Sequence, residues 1–257
     1  MSARPWVLSE VTWALARERP WEVAVLPWGA TEAHNTHLPY GTDVHETTAV
    51  AEEAARKAWD AGARVIVLPT IPFGVNTQQL DIPLTVNMGP STQAAVLSDV
   101  VESLSSGGVR KLLVLNGHGG NDFRQMIREE QATTDVFLCA VGWFRIPGLR
   151  EGFAAPGDHA DEMETSLMLH LRPELVRPLD EAGPGRARSW RVTAFREGWA
   201  WAPRRWSEVT DDTGVGDPAA ATAEKGSEYF EAVTDRLAGF LVELDRMDPE
   251  DLYEDDG

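Results

Sequence analysis

Cysteine is nearly absent from this sequence: Cys139 stands alone among 257 residues. That excludes an intrachain disulfide and fits a reducing compartment. Its neighbours Val136, Phe137, Leu138 and Val141 mark it as a buried strand thiol and not a nucleophile. Basic residues are scarce too, 23 Lys and Arg against 41 Asp and Glu, for a formal charge of −18. A chain so acidic lacks the basic footprint that nucleic acid or an anionic membrane requires, so neither is expected as a partner. No apolar run is long enough to span a bilayer, and no charged segment followed by an apolar one opens the chain. Internal repeats, a Walker motif and a dinucleotide-binding glycine pattern are also missing. These absences lead us to expect a soluble, cytoplasmic protein.

What is present reads as an ordinary globular protein. Hydrophobic residues make up 43% and charged residues 25%, so neither disorder nor a fibre is indicated. The length fits one catalytic domain over residues 1–246, followed by an acidic, disordered tail at 247–257. Continuous Val, Ile and Leu runs predict strands at 22–27, 64–69, 111–115 and 135–141. Between and after them, helical patterns cover 46–61, 91–106, 122–132, 163–171 and 219–246. Strands that are apolar throughout are covered on both faces, and their alternation with helices predicts an α/β fold with a mostly parallel sheet. Such sheets bind ligands beyond the carboxyl ends of their strands, where Glu32 and His118 both fall. Residues 186–206 mix Trp190, Trp199, Trp201 and Trp206 with several arginines. Packing under a loop, closing a pocket or contacting a subunit suits that mixture better than stacking nucleic-acid bases.

The histidines are concentrated. His34 and His37 lie in Glu32–Asp43 with His45 just beyond, His118 in Asn116–Asn121, and His159 in Asp158–Glu164. Neutral imidazole and carboxylate oxygen together suit Zn²⁺, Mn²⁺ or Fe²⁺. A hydrolytic two-metal site, with ions roughly 3.5–4 Å apart, needs one carboxylate that touches both. Asp43 is the natural bridge, with Glu32 and His34 going one to each ion and His118 arriving off a strand end. A further carboxylate is required, and Glu162 or Glu164 is able to supply it. His159 is left as a general acid/base. His37 is read as a structural or pocket-wall group, and His45 and His170 as non-catalytic. Asn116 and Asn121 are turn and cap residues. Taken alone, any one of these side chains has an architectural explanation; together they indicate metal chemistry.

These stretches resemble the creatininase (creatinine amidohydrolase) family. The resemblance rests on Gly29-Ala30-Thr31-Glu32-Ala33-His34 through Asp43, on Asn116-Gly117-His118-Gly119-Gly120-Asn121, and on His159-Ala160-Asp161-Glu162-Met163-Glu164-Thr165-Ser166. It implies a three-layer α/β/α sandwich, two divalent metal ions per chain and hydrolysis of a non-peptide or unusual amide C–N bond, commonly in a homohexamer. By the same resemblance Glu32, His34, Asp43 and His118 are metal ligands and His159 the acid/base. Creatinine-hydrolysing members carry a ligand glutamate where this chain has Gly120, so the missing ligand is assigned to Glu162, as in relatives with the glycine-rich form of that motif. Glu164 is then left to orient a ligand or pack the helix. Asp158 replaces a glutamate of the creatinine-hydrolysing members, and Asn35-Thr36 replaces the commoner Gly-Pro, a change expected at the pocket floor. The expected activity is attack on a small cyclic or related amide by a hydroxide held between the metals. Alternatives are a formamide hydrolase acting on a nucleotide-like intermediate, a peptidase trimming a modified peptide, and an inactive metal-binding scaffold.

Overall fold

Alternate residues of the central strands face two separate cores. Val23, Val25, Val65, Val67, Leu113 and Leu115 join one cluster, whereas Ala24, Leu26, Trp28, Ile66, Leu112 and Val114 join the other. That division follows from the two-residue period of a strand, and it explains why the runs are apolar throughout. The computed structural model describes residues 3–154 and 157–254. Its sheet is parallel in the order β2-β1-β3-β4, built from β1 (Val23–Trp28), β2 (Val65–Val67), β3 (Lys111–Asn116) and β4 (Phe137–Gly142).

Around it, in chain order, run α1 (Trp13–Ala16), α2 (Thr42–Asp60), α3 (Pro90–Ser106), α4 (Arg124–Glu130), α5 (Glu162–Leu171), α6 (Thr193–Arg196), α7 (Trp206–Val209) and α8 (Ala223–Arg246). Helices α2, α5 and α8 pack on one another and supply the first core. Leu97 and Val101 of α3, with Met126 and Ile127 of α4, supply the second. The result is the expected three-layer α/β/α architecture. No helix among the described residues is long and apolar enough to cross a membrane.

Two boundaries matter for the site. Helix α2 begins at Thr42 and not at 46, which places Asp43 inside its first turn. Helix α5 begins at Glu162 because the Asp161 carboxylate accepts hydrogen bonds from the amides of Met163 and Glu164, at 3.0 and 3.1 Å. At the far end, α8 starts at Ala223, where the Thr222 hydroxyl caps the Lys225 amide. Residues 248–254 carry no helix or strand, and 255–257 lie outside the described residues. On the edge strand β4, Cys139 is half-buried and burial pushes its thiol up to about 12, so it is a poor nucleophile.

Candidate metal centre

Three histidines meet beyond the carboxyl ends of β1 and β3, and each has one ring nitrogen tied to a main-chain carbonyl. His34 Nδ1 lies 3.1 Å from the Glu32 carbonyl, His118 Nε2 lies 3.1 Å from that of Val75, and His159 Nε2 lies 2.7 Å from that of Ala33. A carbonyl only accepts, so each of these nitrogens carries the hydrogen and the other nitrogen presents its lone pair. The bare nitrogens all face carboxylates. His118 Nδ1 is 2.8 Å from Glu32 Oε1 and 3.1 Å from Asp43 Oδ2, His34 Nε2 is 3.2 Å from Asp43 Oδ1, and His159 Nδ1 is 3.8 Å from Glu32 Oε1.

This is a cluster of acceptors with no donor among them. Glu32 Oε1 and Asp43 Oδ2 are buried and receive no hydrogen bond among the described residues. Only a proton or a metal cation between the lone pairs relieves the repulsion. Burial opposes charge on His34, but Asp43 outweighs it and raises the imidazole to about 9. Burial likewise opposes charge on His118, and Glu32 with Asp43 raises it well above its usual value. On Glu32 and Asp43 burial favours the neutral acid, yet the imidazoles win and hold both carboxyls low. A divalent ion would take the place of those protons. The donor set therefore fits a metal.

Ligand-forming atoms fall into three overlapping groups: Glu32, Asp43 and His118; His34, Asp43 and Glu164; and Glu32, His34 and His159. Asp43 belongs to the first two, with Oδ2 turned to His118 and Oδ1 to His34, so it is the residue that would be shared if two ions were held. Its position on the first turn of α2, where the helix dipole favours an anion, helps to keep it ionised.

Glu162, expected from the resemblance as a metal ligand, falls outside the three ligand-forming groups among the described residues. Its carboxylate accepts a hydrogen bond from the Ala154 amide at 2.8 Å and pairs with Lys225 at the start of α8. Glu164 faces His34 and Asp43 in its place, accepts a hydrogen bond from the Ala160 amide, and is pushed up to about 8 by burial. That amide is presented by Ala160 in the left-handed region, at φ 49°, an uncommon conformation for a non-glycine residue.

The remaining residues divide into scaffold and wall. His37 Nε2 meets Thr165 Oγ1 at 2.8 Å, away from the ligand groups. Asn116 accepts from the His118 amide at 3.1 Å and from Asn121 Nδ2 at 3.0 Å, and Asn121 Oδ1 receives Val75 N and Gln93 Nε2, so both asparagines brace the His118 loop. Asp158 lies on the cleft wall, 3.0 Å from Arg204. Asn35 sits in the left-handed region at φ 53° and is hydrogen-bonded to Gly183, so this replacement anchors a loop and does not form the pocket floor. The Trp-rich segment divides. Trp206 is buried, with its ring edge-on to His159 at 5.1 Å, whereas Trp199 and Trp201 are exposed.

Two residues gave no sequence signal. Gln79, from a loop without periodicity, donates to Glu32 Oε2 and holds that carboxylate in place. Glu46, one turn beyond Asp43, is fully buried with neither oxygen hydrogen-bonded among the described residues. Burial, together with Glu164 and Asp43, raises it well above the usual carboxyl range, so it stays neutral.

The creatininase family model, described as creatinine amidohydrolase, matches residues 9–241. The chain belongs to the creatininase family, whose members are hydrolases. The mycofactocin precursor peptide peptidase of Mycobacterium tuberculosis (strain CDC 1551 / Oshkosh) is 31% identical over 239 residues, 87% of each chain. The creatinine amidohydrolase of Pseudomonas putida is 28% identical over 176 residues, 60% of this chain and 66% of its own. Among solved structures, a creatinine amidohydrolase-like protein from Bacteroides fragilis NCTC 9343 superposes with a TM-score of 0.89 at 43% identity, covering 96% of this chain and 98% of that one. A manganese form of creatininase superposes with a TM-score of 0.75 at 24% identity, covering 93% and 98%, and speaks for the shared fold alone.

Proposed function

We propose that this creatininase-family chain is a metal-dependent amidohydrolase that cleaves the C–N bond of an amide at the Glu32–His34–Asp43–His118–Glu164 cluster. The observation that carries this reading is the fixed tautomer of each histidine, which aims bare nitrogens and buried, unpartnered carboxylate oxygens at one another. Divalent ions held there would acidify a water and polarise the amide carbonyl. The chain's own groups handle the proton. His159 lines the cleft with its Nδ1 bare, and burial with the neighbouring His34 lowers its pKa, so the ring rests neutral and acts first as a base. It takes the proton of the attacking water at Nδ1 and passes it to the departing nitrogen. Meanwhile Ala33 holds its other nitrogen, and Trp206, packed edge-on, keeps bulk water from the ring.

The substrate is less constrained than the chemistry. The inner cleft has a volume of about 280 Å³ and opens into a groove of about 810 Å³. A cyclic amide of creatinine's size fits the first alone. The larger groove, and the resemblance to a peptide-trimming relative, favour a second reading in which a longer amide or peptide end extends outward.

The test is turnover of creatinine, a formamide and short peptides by enzyme loaded separately with Mn²⁺, Zn²⁺ and Fe²⁺, alongside metal analysis. His159→Gln is expected to keep the metal and lose roughly 10²–10⁴ in rate. If that variant lost its metal instead, His159 would be a ligand and the base would lie elsewhere.

A further inference from the structure

We propose that the substrate carries an anionic group, a carboxylate or a phosphate, and that Arg145, flanked by Arg124 and Arg204, receives it in the groove outside the metal cleft. The inference deepens the hydrolase reading and rests on it for the location of the scissile amide.

Charge distribution is the first argument. Acids outnumber bases 41 to 23 in the chain, and the inner cleft is walled by Glu32, Asp158, Asp161 and Glu164 against Arg145, Arg150 and Arg204. The groove reverses that balance: Arg124, Arg145 and Arg204 line it against a single acid, Asp122. Asp122 is itself turned to the backbone, capping the Arg124 amide at 3.1 Å.

The second argument is what these arginines do. Arg204 is engaged, 3.0 Å from Asp158 and stacked over Trp206 at 4.4 Å. The Arg124 and Arg145 guanidinium groups make no hydrogen bond or ion pair among the described residues. The Arg145 guanidinium lies over the Phe144 ring, 5.2 Å from its centroid. Stacking limits the conformations of a guanidinium while leaving its donors free, and the planar fork matches the two oxygens of a carboxylate or phosphate.

The third argument is continuity. Arg145 and Arg204 border both the inner cleft and the groove, as do Gly119 and Gly120, so a chain passing from one to the other runs beneath them. Gly119 leaves that path open, because nothing lies within 4 Å of where its Cβ would be. Trp201, 85% exposed and lining the groove alone, offers an apolar wall to the part of the substrate between amide and anion. An amide carbonyl at the ligand cluster therefore leaves its distal anion among the arginines.

Three probes sharing one body test this: N-benzoylglycine, its uncharged carboxamide, and N-benzoylaminomethylphosphonate. Binding to the full chain is measured calorimetrically, both metal-loaded and metal-stripped, for the wild type, Arg145→Gln, Arg145→Lys and the Arg124→Gln/Arg145→Gln double variant. In the wild type at least one anionic probe is expected to bind about tenfold or more tightly than the carboxamide, with or without metal, as a charged hydrogen bond implies. Arg145→Gln should lose most of that preference with unchanged metal content, and Arg145→Lys should keep part of it. Preference for the carboxylate would identify a carboxylate-bearing substrate, and preference for the phosphonate a phosphorylated one. Equal binding of all three probes, no binding of any, or a preference that survives the double variant would each overturn the proposal. Failure of the hydrolase reading shows separately, as metal-loaded enzyme that turns over no amide while the anion preference stands.

Discussion

Glu162 and Glu164 are two positions apart on the first turn of α5 and serve different neighbourhoods. At 3.6 residues per turn they point about 200° apart around the helix. Glu162 turns to Lys225 and the Ala154 amide, and Glu164 turns to His34 and Asp43. The Asp161 cap sets this phase by fixing where the helix begins.

The two glutamates are therefore expected to separate metal binding from stability. Glu164→Gln should lower metal content, and Asp43→Ala should abolish it, because Asp43 serves two ligand groups. Glu162→Gln should retain metal but lower the melting temperature by about 3–8 °C, since it leaves Lys225 without its buried partner. Elemental analysis beside a thermal melt decides the matter; metal loss in Glu162→Gln with retention in Glu164→Gln would reverse the assignment.

Metal uptake should be proton-linked. Glu164 keeps its proton up to about 8 and His34 up to about 9, so an entering cation must expel protons below those values. Apparent affinity should rise about tenfold per pH unit for each proton displaced. Chelator competition on metal-stripped protein between pH 6 and 9.5 reads this directly, and a flat profile would contradict it.

Placing a glutamate at position 120, where the resemblance leads one to expect a ligand, is expected to fail. A Cβ on Gly120 would meet the Val75 carbonyl oxygen at 2.3 Å and His118 Nε2 at 2.5 Å. Gly120→Glu should therefore displace the His118 ring and reduce metal content together with stability. A stable variant with higher metal affinity would show that this loop relaxes.

Acid should destabilise the protein partly through His37. Burial first, and then His34, lowers its pKa from near 6.5 to about 4. A depressed imidazole contributes stability above the unfolded value that is lost as pH falls through the folded one. Denaturant midpoints should thus decline between pH 6.5 and 4, and His37→Asn should flatten that decline. An unchanged slope in the variant would assign the loss to other groups.

The sequence by itself determined the layers and most of the candidate ligands. Four apolar strands alternating with amphipathic helices leave few arrangements other than a parallel sheet covered on both faces, and Glu32, His34 and His118 are tied to the ends of those strands by chain connectivity. Asp43 was legible because it closes the same short segment, although its place inside α2 was not. Tertiary structure decided what depends on helix phase and on long-range contacts. Which of two nearby glutamates reaches the site is set by a cap and by the approach of α8, neither of which has a local signature. Gln79 is brought to Glu32 from 47 positions along the chain, and Trp206 and Arg145 reach the cleft from short helical turns that carry no periodic signal. Periodicity and spacing record local geometry; the meeting of distant side chains depends on how the layers close, and only the folded chain fixes that.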